Sequence, residues 1–151
     1  MKKTPNAQRR TPNIEFRDGR VAEIPSREYG TSQRPKYDLE ERLLSFTAKI
    51  VWLADSLPNT KAGNHIAGQL LRCGTSPLAN HGEVEAAESR KDFLHKLRIC
   101  LKELRETWRW LRLIGRLKLA EDADLRETLN ESEELIRIFA ASVRTTEKNA
   151  K

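Results

Sequence analysis

The sequence predicts an all-α fold: an antiparallel, up-down-up-down four-helix bundle behind a mostly disordered N-terminal extension. Three observations carry this. From Asp38 onward apolar residues recur at intervals of three and four, the period of a helix. Breaks near Pro58-Asn59, Glu88-Ser89 and Gly115–Asp122 divide that pattern into four stretches of a length suited to a bundle with short loops. Charge and proline, by contrast, crowd into the first 36 residues. The expected domains are therefore an extension over 1–36, a bundle over 37–147 and a short tail over 148–151.

The extension carries nine Lys/Arg against four Asp/Glu, so a net +5 of the chain's +6 lies there, together with four of the six prolines. Such a composition buries too little apolar surface to offset ordering entropy, and disorder is expected. One fragment reads differently. The segment IEFRDGRVAEI, residues 14–24, alternates apolar and polar residues around Asp18-Gly19, a favoured two-residue hairpin turn. An isolated hairpin is marginal in water, so the segment reads either as a hairpin docked on the bundle or a partner, or as disordered like the rest of the extension.

The first helix opens at Asp38 as N-cap and carries a seam of Leu39, Leu43, Phe46, Ile50, Leu53 and Leu57. The second runs from about Ala62 to Ala87, with Ile66, Leu70, Cys73, Pro77 and Val84 on one face. The third starts at Ser89, with Asp92 placed as in a capping box, and its seam is Leu94, Leu97, Leu101, Leu104, Trp108 and Leu111. A second apolar line, Phe93, Cys100, Trp110 and Ile114, lies beside it. It serves either self-association or a wider intramolecular core. The fourth helix begins at Glu121-Asp122, where acidic groups suit the positive end of the helix dipole. Leu125, Leu129, Ile136, Phe139 and Val143 form its seam, broadened by Leu135 and Ile138.

The second helix also holds Gly74, Pro77 and Gly82, all poor helix residues. With Ala79, Ala86 and Ala87 they form a small-residue surface against which neighbouring backbones can pack closely. Pro77 removes one backbone hydrogen bond and should bend the helix. Thr75 or Ser76 could bond the carbonyls it frees.

The stretch RCGTSPLANHGEVEAAESRKDFLHKLRICLKELRETWRWLRLI closely resembles the bacterial 23S rRNA intervening-sequence proteins. Arg72, Thr75, Ser76, Ala79 and Asn80 match one family segment, and Ser89, Arg90, Asp92, Phe93 and Lys96 match the helix start that follows. His81 stands where many relatives have an aromatic residue. The similarity spans about residues 37–147. It implies an antiparallel four-helix bundle, often a homopentamer, with no agreed enzymatic activity. A similar bundle is the accessory protein of diversity-generating retroelements, where it binds a reverse transcriptase and nucleic acid.

Composition and spacing set the chemistry that can be expected. The N-terminus lacks the apolar stretch of a signal peptide, and no apolar run approaches the ~20 residues of a membrane span, so a cytoplasmic protein with reduced thiols is expected. Cys73 and Cys100 lack CxxC spacing. The three histidines (65, 81 and 95) are scattered, and only Asp92 and His95 approach the Glu-x-x-His pattern of a metal-binding bundle. No phosphate-binding glycine loop follows a strand. No catalytic residues, metal or cofactor are expected, and the protein reads as non-enzymatic.

What remains is charge. From Ser89 to Lys118 there are ten basic and three acidic residues, and Arg98, Lys102, Arg105, Arg109, Arg112 and Arg116 fall on one helical face. Such a row could follow a phosphate backbone, with Trp110 nearby to stack on an unpaired base. Residues 119–147, however, carry eight acidic against three basic side chains and could neutralise the row through ion pairs. Trp108 is expected in the core, and Phe93, Trp110, Ile114 and Trp52 at a contact between subunits. Two functions of different class follow. One is an oligomeric bundle that binds structured RNA, or DNA, through the third helix and the basic extension. The other is a protein-interaction adaptor, for example for a reverse transcriptase.

Overall fold

The structure, a computed structural model, describes the backbone of residues 14–17 and 20–23 and all of residues 39–148. The chain divides into two units, Met1–Lys36 and Tyr37–Lys151. In the first, β1 (Ile14–Arg17) pairs antiparallel with β2 (Arg20–Glu23), in a register that runs from Ile14↔Glu23 to Arg17↔Arg20. Both strands fall within the alternating segment 14–24. The expected disorder over the rest of the extension, the Asp18-Gly19 turn and the Asp38 cap lie outside the described residues.

The second unit is four helices: α1 (Leu39–Ser56), α2 (Lys61–Glu85), α3 (Arg90–Leu117) and α4 (Asp122–Lys148). Four-residue links separate them, so consecutive helices must run antiparallel. Packing follows the ring α1–α2–α3–α4 and closes from α4 back to α1, where contact is sparsest. Among the described residues no helix is long and apolar enough to cross a membrane.

Local chemistry explains the boundaries. Thr60 caps α2 by accepting from the Gly63 N–H at 3.0 Å, and Gly63 leaves room for Pro58, whose carbonyl a β-carbon would meet at 2.0 Å. Ser89 caps α3 by accepting from the Asp92 N–H at 3.2 Å, and the Asp92 carboxylate reaches back to the Glu88 N–H rather than to Ser89. A hydrogen bond from Lys96 holds the Asp92 carboxyl below its ordinary range. α3 ends at Lys118, a left-handed residue (φ 53°) whose N–H bonds the Gly115 carbonyl.

The core runs the length of the ring. Leu43, Phe46 and Ile50 of α1, Leu70 and Cys73 of α2, Leu104 and Leu111 of α3, and Leu135 and Phe139 of α4 are almost wholly buried. Most of the expected seams are in place, with one consequential exception in α3. Its buried residues are Leu97, Cys100, Leu101, Glu103, Leu104, Thr107, Leu111 and Ile114. Thr107, not Trp108, fills the core at that turn, because its hydroxyl donates to the Glu103 carbonyl at 2.9 Å and so enters the interior already satisfied. Cys100 and Ile114 are fully buried within the chain. The second apolar line of α3 thus belongs in large part to a wider intramolecular core.

The small residues of α2 divide likewise. Gly74 is a close-approach position against Ile50, whereas a β-carbon on Gly82 would meet nothing within 4 Å. Ala79 and Ala86 are exposed. α2 continues through Pro77, which is buried. Around it the Thr75 hydroxyl donates to the Leu71 carbonyl at 2.7 Å and the Asn80 amide to the Ser76 carbonyl at 2.9 Å. Arg72 joins Glu106 of α3, with Glu103 at 3.9 Å. Of the residues that carry the family resemblance, Ser89 and Asp92 cap α3, Arg72, Arg90 and Lys96 reach a neighbouring helix, and Thr75, Ser76 and Asn80 bond within α2.

Candidate nucleic-acid interface

Ion pairs decide whether the basic row of α3 is free to meet a ligand. Nearly all the acidic side chains of α4 that engage a cation do so elsewhere. Glu127 takes Lys49 of α1 at 2.5 Å, and Glu131 takes Arg42 of α1 through two bonds of 2.8 and 2.9 Å. Glu133 and Glu134 both hold Arg137 on their own helix. Only Glu147 reaches the row, pairing with Arg98 at 2.7 Å.

The rest of the row is left in solvent. Lys102 has Glu103 at 3.8 Å. Arg105, Arg109, Arg112 and Arg116 are exposed, and among the described residues no carboxylate stands within ion-pair distance of them. Arg109 donates to the Arg105 carbonyl at 3.4 Å, and the Arg112 guanidinium lies 4.5 Å from the centre of the Trp108 ring. The expected neutralisation by the fourth helix therefore holds at Arg98 and fails along the following turns. The sequence could not reveal this, because α4 divides its acids between α1 and its own Arg137.

Trp108 departs from its expected place. Trp108, expected in the core, is half-buried at the α3–α4 seam, where its indole N–H donates to Glu133 at 3.2 Å. Beside it lies a groove of about 340 Å³ lined by Arg105, Trp108, Arg109, Glu133, Ile136 and Arg137. Trp110 faces α2 and makes an edge contact with His65, ring centres 6.2 Å apart. It is thus turned away from the arginines it was expected to serve. The spacing 105, 108, 109, 112 places Trp108 on the arginine face, a signal the seam reading overlooked.

Of the four residues expected between subunits, Ile114 lies in the chain's own core, and Phe93 and Trp110 are half-buried against it. Trp52 is 69% exposed, beside a groove of about 830 Å³ lined by Lys49, Glu121, Asp124 and Glu127 among others. Among the described residues, Leu44 on the same helix and Leu113 and Leu117 on α3 are the other large apolar side chains open to solvent.

Among the described residues no group of three or more His, Cys, Asp or Glu side chains could hold a metal ion. Both thiols are buried and free. Burial raises the Cys73 thiol above its ordinary value and pushes Cys100 up to about 12, so neither is a thiolate at neutral pH.

Comparison with known proteins adds the following. The family model for the 23S rRNA-intervening sequence protein matches residues 36–141. A solved structure from Bacteroides thetaiotaomicron, described as a protein with unknown function from the S23 ribosomal protein family, is 35% identical. It superposes with a TM-score of 0.65 over 70% of this chain and 97% of its own. No curated protein matches the chain.

Proposed function

The chain belongs to the 23S rRNA-intervening sequence protein family, and we propose that it is a nucleic-acid-binding bundle that holds structured RNA on the outer face of α3. One observation carries the reading: among the described residues Arg105, Arg109, Arg112 and Arg116 stand exposed without a carboxylate partner, while Glu127, Glu131, Glu133 and Glu134 of the neighbouring helix pair elsewhere. Their spacing along the axis is about 6, 4.5 and 6 Å at 1.5 Å per residue, and each guanidinium offers a planar fork to a phosphate. The extension, with nine basic against four acidic residues, adds a second region of positive charge. Binding of this kind releases counterions and falls with salt.

The test is charge reversal. Replacing Arg105, Arg109 and Arg116 together by Glu leaves the core untouched. It should reduce RNA affinity at least tenfold while helicity is unchanged; equal affinity would refute the α3 site.

A second reading is favoured by Trp52 and Leu44, which leave an apolar strip on the outside of α1. We propose that this strip meets other protein, first of all further copies of the chain, as the homopentamer of the family resemblance implies. An adaptor role toward a reverse transcriptase would use the same face. Trp52→Glu should then lower the assembly state in sedimentation experiments; an unchanged state would exclude that surface.

A further inference from the structure

We propose that the groove beside Trp108 receives one unpaired nucleotide, its base stacked on the indole and its phosphates against Arg105, Arg109 and Arg112. The inference rests on the nucleic-acid reading above and specifies its ligand: a loop, bulge or single strand rather than a closed duplex.

Three features support it. Among the described residues Trp108 sits beside three cations with no carboxylate partner, Arg105, Arg109 and Arg112, whereas the groove of Trp52 holds one such cation, Lys118, among acidic side chains. Trp52 borders Glu121, Asp124 and Glu127, and Trp110 is occupied by His65. The indole is also held in place. Its N–H is fixed by Glu133 Oε1, and Glu133 Oε2 is in turn engaged by Arg137 at 3.6 Å. A fixed ring gives a base a platform at little cost in side-chain entropy.

The third feature is that the ring is already covered by a planar cation that can yield. Arg112 lies 4.5 Å over it, beside the groove rather than in its lining, and among the described residues it has no carboxylate to hold it there. An exposed cation–π contact is weaker than a base stacked on an aromatic ring, so a base can take the place of the guanidinium. The displaced Arg112 is then free for a phosphate. The groove, about 340 Å³, is at the small end of ligand sites and suits a single nucleotide.

The experiment uses the full chain and two RNAs: a hairpin with an unpaired loop, and the same stem as a blunt duplex. Trp108→Leu should lose about tenfold in affinity for the loop RNA, the scale of one base–aromatic stack, and nothing for the duplex. Trp108→Phe loses the Glu133 hydrogen bond as well but keeps an aromatic face, and should retain most loop binding. In a chain carrying Trp52→Phe and Trp110→Phe, the emission of Trp108 should be quenched by the loop RNA and not by the duplex. Wild-type loop affinity in Trp108→Leu would overturn the proposal, as would equal losses on both RNAs. If duplex binding still disappears on reversing Arg105, Arg109 and Arg116, the nucleic-acid reading survives that failure.

Discussion

Gly74 of α2 lies so close to Ile50 of α1 that a β-carbon added to it would stand 2.6 Å from Ile50 Cγ2. The contact is with a β-branched side chain that has one favoured helical rotamer and cannot swing aside. Gly74→Ala must therefore push α1 and α2 apart. Overpacking costs about 1–3 kcal/mol, against a helix-propensity gain of about 1 kcal/mol. A net loss of up to about 2 kcal/mol in urea unfolding is expected. Gly82→Ala, where the added carbon meets nothing within 4 Å, should instead gain about 0.5–1 kcal/mol.

Lys118 ends α3 in the left-handed region at φ 53°, a conformation that costs a side-chain-bearing residue about 1 kcal/mol or more. Lys118→Gly should raise stability by up to about 1 kcal/mol, read as a higher urea midpoint at unchanged slope.

The sparse α1–α4 seam is tied by two ion pairs of unequal quality. Arg42–Glu131 is bidentate with both side chains about a quarter exposed, whereas Glu127 in the Lys49 pair is 67% exposed. A double-mutant cycle should give a coupling of about 1 kcal/mol for the first and roughly half that or less for the second.

Cys100 links burial to pH. Its thiol is pushed from an ordinary 9.0 to about 12, chiefly by burial, and its S–H points to the Pro77 carbonyl at 3.8 Å. Since the folded value is the higher one, this contribution to stability is whole below pH 9 and is lost as pH rises toward 12. Cys100→Ala should therefore lose less stability than the wild type between neutral pH and about pH 10 in parallel urea titrations.

The helices were legible in the sequence because periodicity and caps act locally. The seam of α1, the Ser89 cap and the hairpin pattern can all be read within one or two turns of chain. The candidate site was legible only in part. The arginine row follows from spacing, but its freedom depends on where Glu127, Glu131, Glu133 and Glu134 find their partners, and those choices are tertiary. Trp108 and Thr107 differ by one helical step of ~100°, and apolarity favoured the wrong one. A threonine whose hydroxyl is satisfied by its own helix is as good a core residue there, and it leaves the tryptophan at the arginine face.

The most direct measurement is fluorescence anisotropy of a labelled structured RNA, titrated with the full chain from low to physiological salt. Wild-type binding should persist at physiological salt, and the Arg105/Arg109/Arg116→Glu variant should bind more weakly with a salt slope shallower by about two to three. A variant with the wild-type affinity and slope, or a wild type that loses every RNA as salt rises, would contradict a nucleic-acid site on α3.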